Sequence, residues 1–196
     1  MSTRSLICKQ IDKNLYEAIY CHSDGYLTYN GAMLIDHYKD EEKLTKLIDL
    51  GNISSLYPNL DPDPSKPHSY SYNERQENVV IAYGRDCGEK NQEKRLCNLN
   101  KLKKWPNIEY IYIFTPEKEW IYSHYPFNKF ESVQDGVDKE YKRMGIRREP
   151  NKYGEPTEET IKAIKKRQQK QDAEMWGNPR WQINNLVFLK KRLIKK

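Results

Sequence analysis

Residues 108–125 constrain the fold of this chain more than any other segment. They read Ile-Glu-Tyr-Ile-Tyr-Ile-Phe, then Thr115-Pro116-Glu117-Lys118, then Glu-Trp-Ile-Tyr-Ser-His-Tyr. Both flanking runs are aromatic and β-branched, which suits a pleated, half-buried surface. Proline stands where a type I turn takes it, with φ preset for a reversal. A β-hairpin is expected, with Trp120, Tyr122 and His124 on one face and Ile121 on the other. Such strands belong in a core. Exposed instead, their rings would form a stacking platform for bases, although no RRM-type signature accompanies them.

Other elements follow from local chemistry. Residues 3–9 and 15–22 read as two more strands, joined by a link rich in Asp and Asn. Asn30 is placed to cap a short helix over 31–38, with Met33, Leu34, His37 and Tyr38 on one face. Asp40 caps a second helix over 41–50. Leu44, Leu47 and Ile48 form its apolar stripe, Glu41 and Glu42 sit at the positive end, and Gly51 stops it. Pro58, Pro62, Pro64 and Pro67 make 57–75 an extended surface loop. Residues 79–83 form a short buried strand, and the charged stretch 90–104 reads as helical. The class is α+β: a small antiparallel sheet of four or five strands with two helices on one face.

Charge divides the chain. Residues 1–136 hold 17 Lys and Arg against 20 Asp and Glu, a net −3, whereas residues 137–196 hold 17 against 8, a net +9. Three regions are expected: an α+β body over 1–125, a linker-like segment over 126–156, and a basic helical extension over 157–196. In the extension Thr157 caps a helix to 175, Gly177-Asn178-Pro179 breaks it, and a second basic helix covers 180–195. Lys162, Lys165, Lys166, Arg167, Lys170, Arg180, Trp181, Lys190, Lys191 and Arg192 are its candidate contacts for nucleic acid or for an acidic protein face. The alternative is a solvated helical surface. Mean hydropathy of −1.01 is polar for a globular chain, but 12% aromatic residues argue against disorder.

Several function classes are excluded or disfavoured. No run approaches the roughly 18 apolar residues of a membrane span. The first ten residues carry no apolar stretch of a signal peptide, so the cysteines are expected to be reduced cytosolic thiols. Cys8, Cys21, Cys87 and Cys97 match no CxxC spacing, and no phosphate-loop, dinucleotide or zinc-protease motif is present. Cys21 and His22 are neighbours on a strand and point to opposite faces, so a core thiol and a surface imidazole are expected rather than a nucleophile–base pair. A metal site from His22, Asp24, His37 or Asp86 is chemically possible, but these ligands are scattered along the chain, so none is expected, nor is a cofactor. Arg85, Asp86 and Glu89 lie in a loop bracketed by Gly84 and Gly88, where a strand fixes them and the loop exposes them. Together with Arg4, His22 and Asp24 they are the candidate ligand-binding residues. Alternatively, the loop closes on an internal ion pair.

Specific strings carry a family resemblance. They are Ser2-Thr3-Arg4-Ser5, Ile19 to Tyr26, Gly31, Leu34, His37-Tyr38, Leu47 to Leu56, Ala82 to Glu89, and the aromatic hairpin. In this order, over about residues 1–125, the chain resembles small uncharacterised proteins encoded by bacteriophages, prophages and other mobile elements. The resemblance implies a setting, an accessory protein in a bacterial host cytoplasm, rather than a mechanism. A non-enzymatic, stoichiometric binder of a host protein or ribonucleoprotein complex is expected, with an anti-defence role of the anti-CRISPR kind. Net positive charge argues against a DNA mimic and toward RNA, DNA or an anionic nucleotide. Two alternatives stay open: a nucleic-acid-binding accessory protein without inhibitory role, and a metal-dependent nuclease or nucleotide hydrolase using His22, Asp24, Arg85, Asp86 and Glu89.

Overall fold

In a computed structural model the structure describes residues 2–145 together with Arg147 and Arg148. The basic extension, and with it Lys162, Lys165, Lys166, Arg167, Lys170, Arg180, Trp181, Lys190, Lys191 and Arg192, lies outside the described residues.

The fold is α+β. Strands β1 (Ser5–Asp12) and β2 (Leu15–Cys21) form an antiparallel hairpin with Ile7 opposite Ile19. A π-helical turn (Leu27–Gly31) runs directly into α1 (Ala32–His37), and α2 (Glu41–Asp49) follows. Strand β3 (Ile53–Ser55) then returns beside β2, parallel to it. A strand–helix–strand crossover brings the chain back in its starting direction, so the helices between β2 and β3 dictate a parallel neighbour. After the proline-rich loop come β4 (Ile81–Ala82) and α3 (Tyr83–Cys87), then β5 (Arg95–Cys97) and α4 (Leu99–Lys103). The aromatic segment forms β6 (Tyr110–Phe114) and β7 (Trp120–His124), antiparallel, with Tyr112 opposite Tyr122. Strand β8 (Glu131–Ser132) leads into α5 (Val133–Met144).

The sheet is larger than expected and mixed rather than wholly antiparallel. Its eight strands run β4-β3-β2-β1-β6-β7-β8, with β5 added to β2 at Tyr16–Ala18. Strand β1 pairs in parallel with β6, which joins the two hairpins at the centre. The short strands β3, β5 and β8 carry too few residues to show a period-two pattern, which is why sequence alone hides them.

Alternation divides the side chains between two cores. On one face Ile7, Ile19, Tyr112, Phe114, Trp120 and Tyr122 meet α1, α2 and α5. Leu44, Leu47 and Ile48 of α2 are fully buried there, each stabilising the fold by about 1.5–3 kcal/mol. Asp40 caps this helix as expected, accepting from the Lys43 N–H at 2.8 Å. On the other face Leu6, Cys8, Ala18, Ile111 and Ile113 meet Leu102, Ile108 and Phe127.

Two local expectations change. Asn30 does not cap α1. Its side chain is fully buried and its Nδ2 lies within hydrogen-bond reach of Ser5 Oγ (3.2 Å), Cys21 Sγ (3.3 Å) and the Ser23 carbonyl (3.2 Å). The π-helical turn is what swings this amide inward. The segment expected to be linker-like holds β8 and α5, and α5 packs Val133 and Val137 into the first core.

Candidate functional site

The second face of the sheet is incompletely covered, and a cleft of about 1030 Å³ opens there. Three elements build it. The even positions of β2 face this side, so Tyr20 extends the row of Tyr16 and Ala18, and His22 follows just past the strand end. Arg4 enters from the residue before β1. Opposite them β5 contributes Arg95 and Leu96, and α4 with its C-terminal end contributes Lys101, Lys104 and Trp105. Asn98 caps α4 by accepting from the Lys101 N–H at 2.9 Å, which fixes the start of the helix. Lys101 and Lys104 are three apart, so both project from one side of it.

The cleft is cationic and aromatic. Arg4, Arg95, Lys101 and Lys104 line it, and among the described residues no Asp or Glu does. Tyr20 Oη and His22 Nδ1 are hydrogen-bonded at 2.8 Å, and the rings meet edge to face. Burial raises the Tyr20 phenol above its ordinary pKa, and the Arg4 guanidinium, hydrogen-bonded to it, pulls the other way. Glu109 accepts from the main-chain N–H of Arg4 at 3.2 Å. Asn52 also reaches the cleft, but its amide is engaged: Oδ1 accepts from the Tyr20 N–H at 2.8 Å and Nδ2 donates to Gln92 Oε1 at 2.9 Å. Such a surface can hold phosphates by charge and bases by stacking.

Of the six candidate ligand residues, the structure brings Arg4 and His22 together in this cleft. Asp24 is elsewhere, at φ +54°, where its carbonyl accepts from the Asn30 N–H and holds the π-helical turn. Arg85 and Asp86 form an internal ion pair at 2.7 Å. The Asp86 side chain is only 2% exposed, accepts from the Ala82 N–H at 2.7 Å, and lies 3.5 Å from His68 Nε2. The Arg85 guanidinium donates to the carbonyls of Leu60 (2.7 Å) and Val80 (2.5 Å). Together they close the open side of β4 and fasten the proline-rich loop. Exposed Glu89 accepts from Gln92 Nε2 at 2.9 Å. The glycine-bracketed loop is thus a one-turn helix ending at Gly88, whose φ is +68°.

Cys21 and His22 do part to opposite faces. Cys21 is fully buried and burial lifts its thiol to about 11, so no thiolate is available near neutral pH. Among the described residues no group of three His, Cys, Asp or Glu side chains is placed to hold a metal, and no helix is long and apolar enough to cross a membrane. The hairpin rings of β6 and β7 are core: Tyr112 is fully buried and donates to the Gly25 carbonyl at 2.8 Å.

Sequence reasoning missed Arg95, Lys101, Lys104 and Trp105. A signal was present in Lys101-x-x-Lys104-Trp105-Pro106, cations one helical turn apart followed by an aromatic residue and a stop. Comparisons with protein-family models, with curated proteins and with solved structures find nothing that matches the chain.

Proposed function

We propose that the protein is a stoichiometric binder of nucleic acid, holding a phosphate-bearing chain in the cleft between β2, β5 and α4. One observation carries this reading: four cationic side chains and an imidazole converge on a cleft lined by no carboxylate among the described residues. Cationic side chains on folded surfaces usually lie among acids. Here Lys94, next to Arg95, is held by Glu17 at 2.6 Å and Asp49 at 2.8 Å, while Arg95 faces the cleft. In the mobile-element setting that the resemblance implies, the ligand is the RNA of a host defence complex, and binding it without turnover is an anti-defence act of the anti-CRISPR kind in the bacterial cytoplasm.

The test is anisotropy of a labelled single-stranded RNA 10-mer on the full chain, between 50 and 300 mM salt. Each phosphate contact contributes about −0.7 to the slope of log K against log salt. Lys101→Ala with Lys104→Ala is expected to flatten the slope by about 1.4 and to weaken binding about tenfold at low salt. Both lysines are exposed, so the fold is expected to survive. No binding at 50 mM salt, or a slope indifferent to the double substitution, would overturn the reading.

A further inference from the structure

The cleft contains one contact that charge alone does not explain. The Arg95 guanidinium lies over the Trp105 indole, 5.0 Å from its centroid. Trp105 is half-buried, its ring packed on the second core beside Leu102 and Ile108, so the platform under Arg95 is fixed. Arg95 itself is exposed, and among the described residues no carboxylate pairs with it. A guanidinium is therefore held over an aromatic ring while remaining exposed to solvent. Flanking it are Arg4, Lys101 and Lys104, cations suited to phosphate rather than to a base.

We infer that Arg95 and Trp105 form a stacking platform that takes a single unpaired nucleobase, and that the cleft thereby selects single-stranded over double-stranded nucleic acid. This rests on the cleft being the nucleic-acid site. A base laid on the guanidinium completes a base–guanidinium–indole stack, and the adjoining phosphates fall to Arg4, Lys101 and Lys104. Bases of a duplex have both faces covered by their neighbours, so only an unpaired base can occupy the platform. Stacking is tolerant of sequence, because every base presents a π face. A free nucleotide offers the same base and phosphate. The cleft is at the upper end of the roughly 300–1,000 Å³ usual for small-molecule sites, and it is the spread of its cations over three elements that favours a strand of several nucleotides.

The experiment is competition against the labelled RNA 10-mer on the full chain, with four competitors: unlabelled 10-mer, the same sequence as duplex, inorganic polyphosphate of matched charge, and adenosine monophosphate. The decisive variant is Arg95→Lys, which keeps the charge and removes the plane. It is expected to weaken the 10-mer about tenfold and to leave polyphosphate within twofold. Trp105→Ala is expected to do the same. Should its lost packing unfold the chain, Arg95→Lys on the exposed strand still decides. Duplex competing as well as single strand, or Arg95→Lys affecting neither polymer or both equally, would overturn the platform while leaving the cationic cleft as a phosphate site. Adenosine monophosphate competing as well per nucleotide as the 10-mer would overturn the strand in favour of a free nucleotide. Failure of every competitor and of the 10-mer itself would instead remove the nucleic-acid reading.

Discussion

Asp86 shows how one side chain can read as a ligand residue and serve as a fastener. Its carboxylate is nearly inaccessible and is met by Arg85, the Ala82 N–H and His68. Replacing it with Ala leaves the Arg85 guanidinium with carbonyl acceptors alone and no counter-charge, and the Ala82 N–H without its acceptor. Asp86→Ala is therefore expected to lower stability by about 2–4 kcal/mol, read as a shift in the urea midpoint. An unchanged midpoint would mean that the pair does not hold the loop. The cysteines make a second residue-scale prediction. Cys8, Cys21 and Cys97 are buried and Cys87 is half-buried. Burial, then the charges of Glu89 and Asp86, raise the Cys87 thiol. Because the thiolate is the nucleophile, iodoacetamide at pH 8 should add slowly and once, at Cys87, with a rate still climbing as pH rises past the ordinary thiol range. Adducts on Cys21 at a comparable rate would contradict its burial.

Among the elements, α5 departs most from what composition suggests. Its residues 133–144 are mostly polar, and the seam that buries it is only Val133, Gly136 and Val137, with Tyr141 packed at the margin. Gly136 is the close approach in that seam. A Cβ there would lie 2.6 Å from Tyr122 Cε1 and 2.8 Å from its hydroxyl. Helix propensity alone predicts that Gly136→Ala stabilises by about 1 kcal/mol. The clash with a ring fixed between strands costs more, so a net loss of about 1–3 kcal/mol is expected in thermal melting. A raised melting temperature would show that the helix can shift freely. By contrast α2, with its Asp40 cap and three-residue apolar stripe, and the β6–β7 hairpin were legible in the sequence, because each carries its own periodicity and stop signals. Strands β3, β5 and β8 were not, since pairing partners distant in the chain define them. Asn30 was misread for the same reason: a good capping residue became a buried amide once Ser5 and Cys21 stood beside it.

On the scale of the whole molecule, the α+β class followed from local signals, whereas the mixed sheet required knowing that β1 sits between β2 and β6. The cleft was half legible. Alternation along β2 sends His22 away from Cys21, but only the pairing of β5 with β2 brings Arg95 and Trp105 opposite Arg4. Charge counting drew attention to residues 137–196, although a cationic site also lies within the net-acidic body, where acids on other surfaces mask it in the sum. The ends of the sheet have a consequence of another kind. Among the described residues the terminal strands are short, two residues in β4 and β8 and three in β5, and at β4 the backbone groups of Val80 and Ala82 are occupied by Arg85 and Asp86. Among the described residues a neighbouring molecule finds only two or three residues of free strand edge on which to pair, a poor template for edge-to-edge growth. Short, occupied edges of this kind let folded copies stand close together at high concentration without one templating the next.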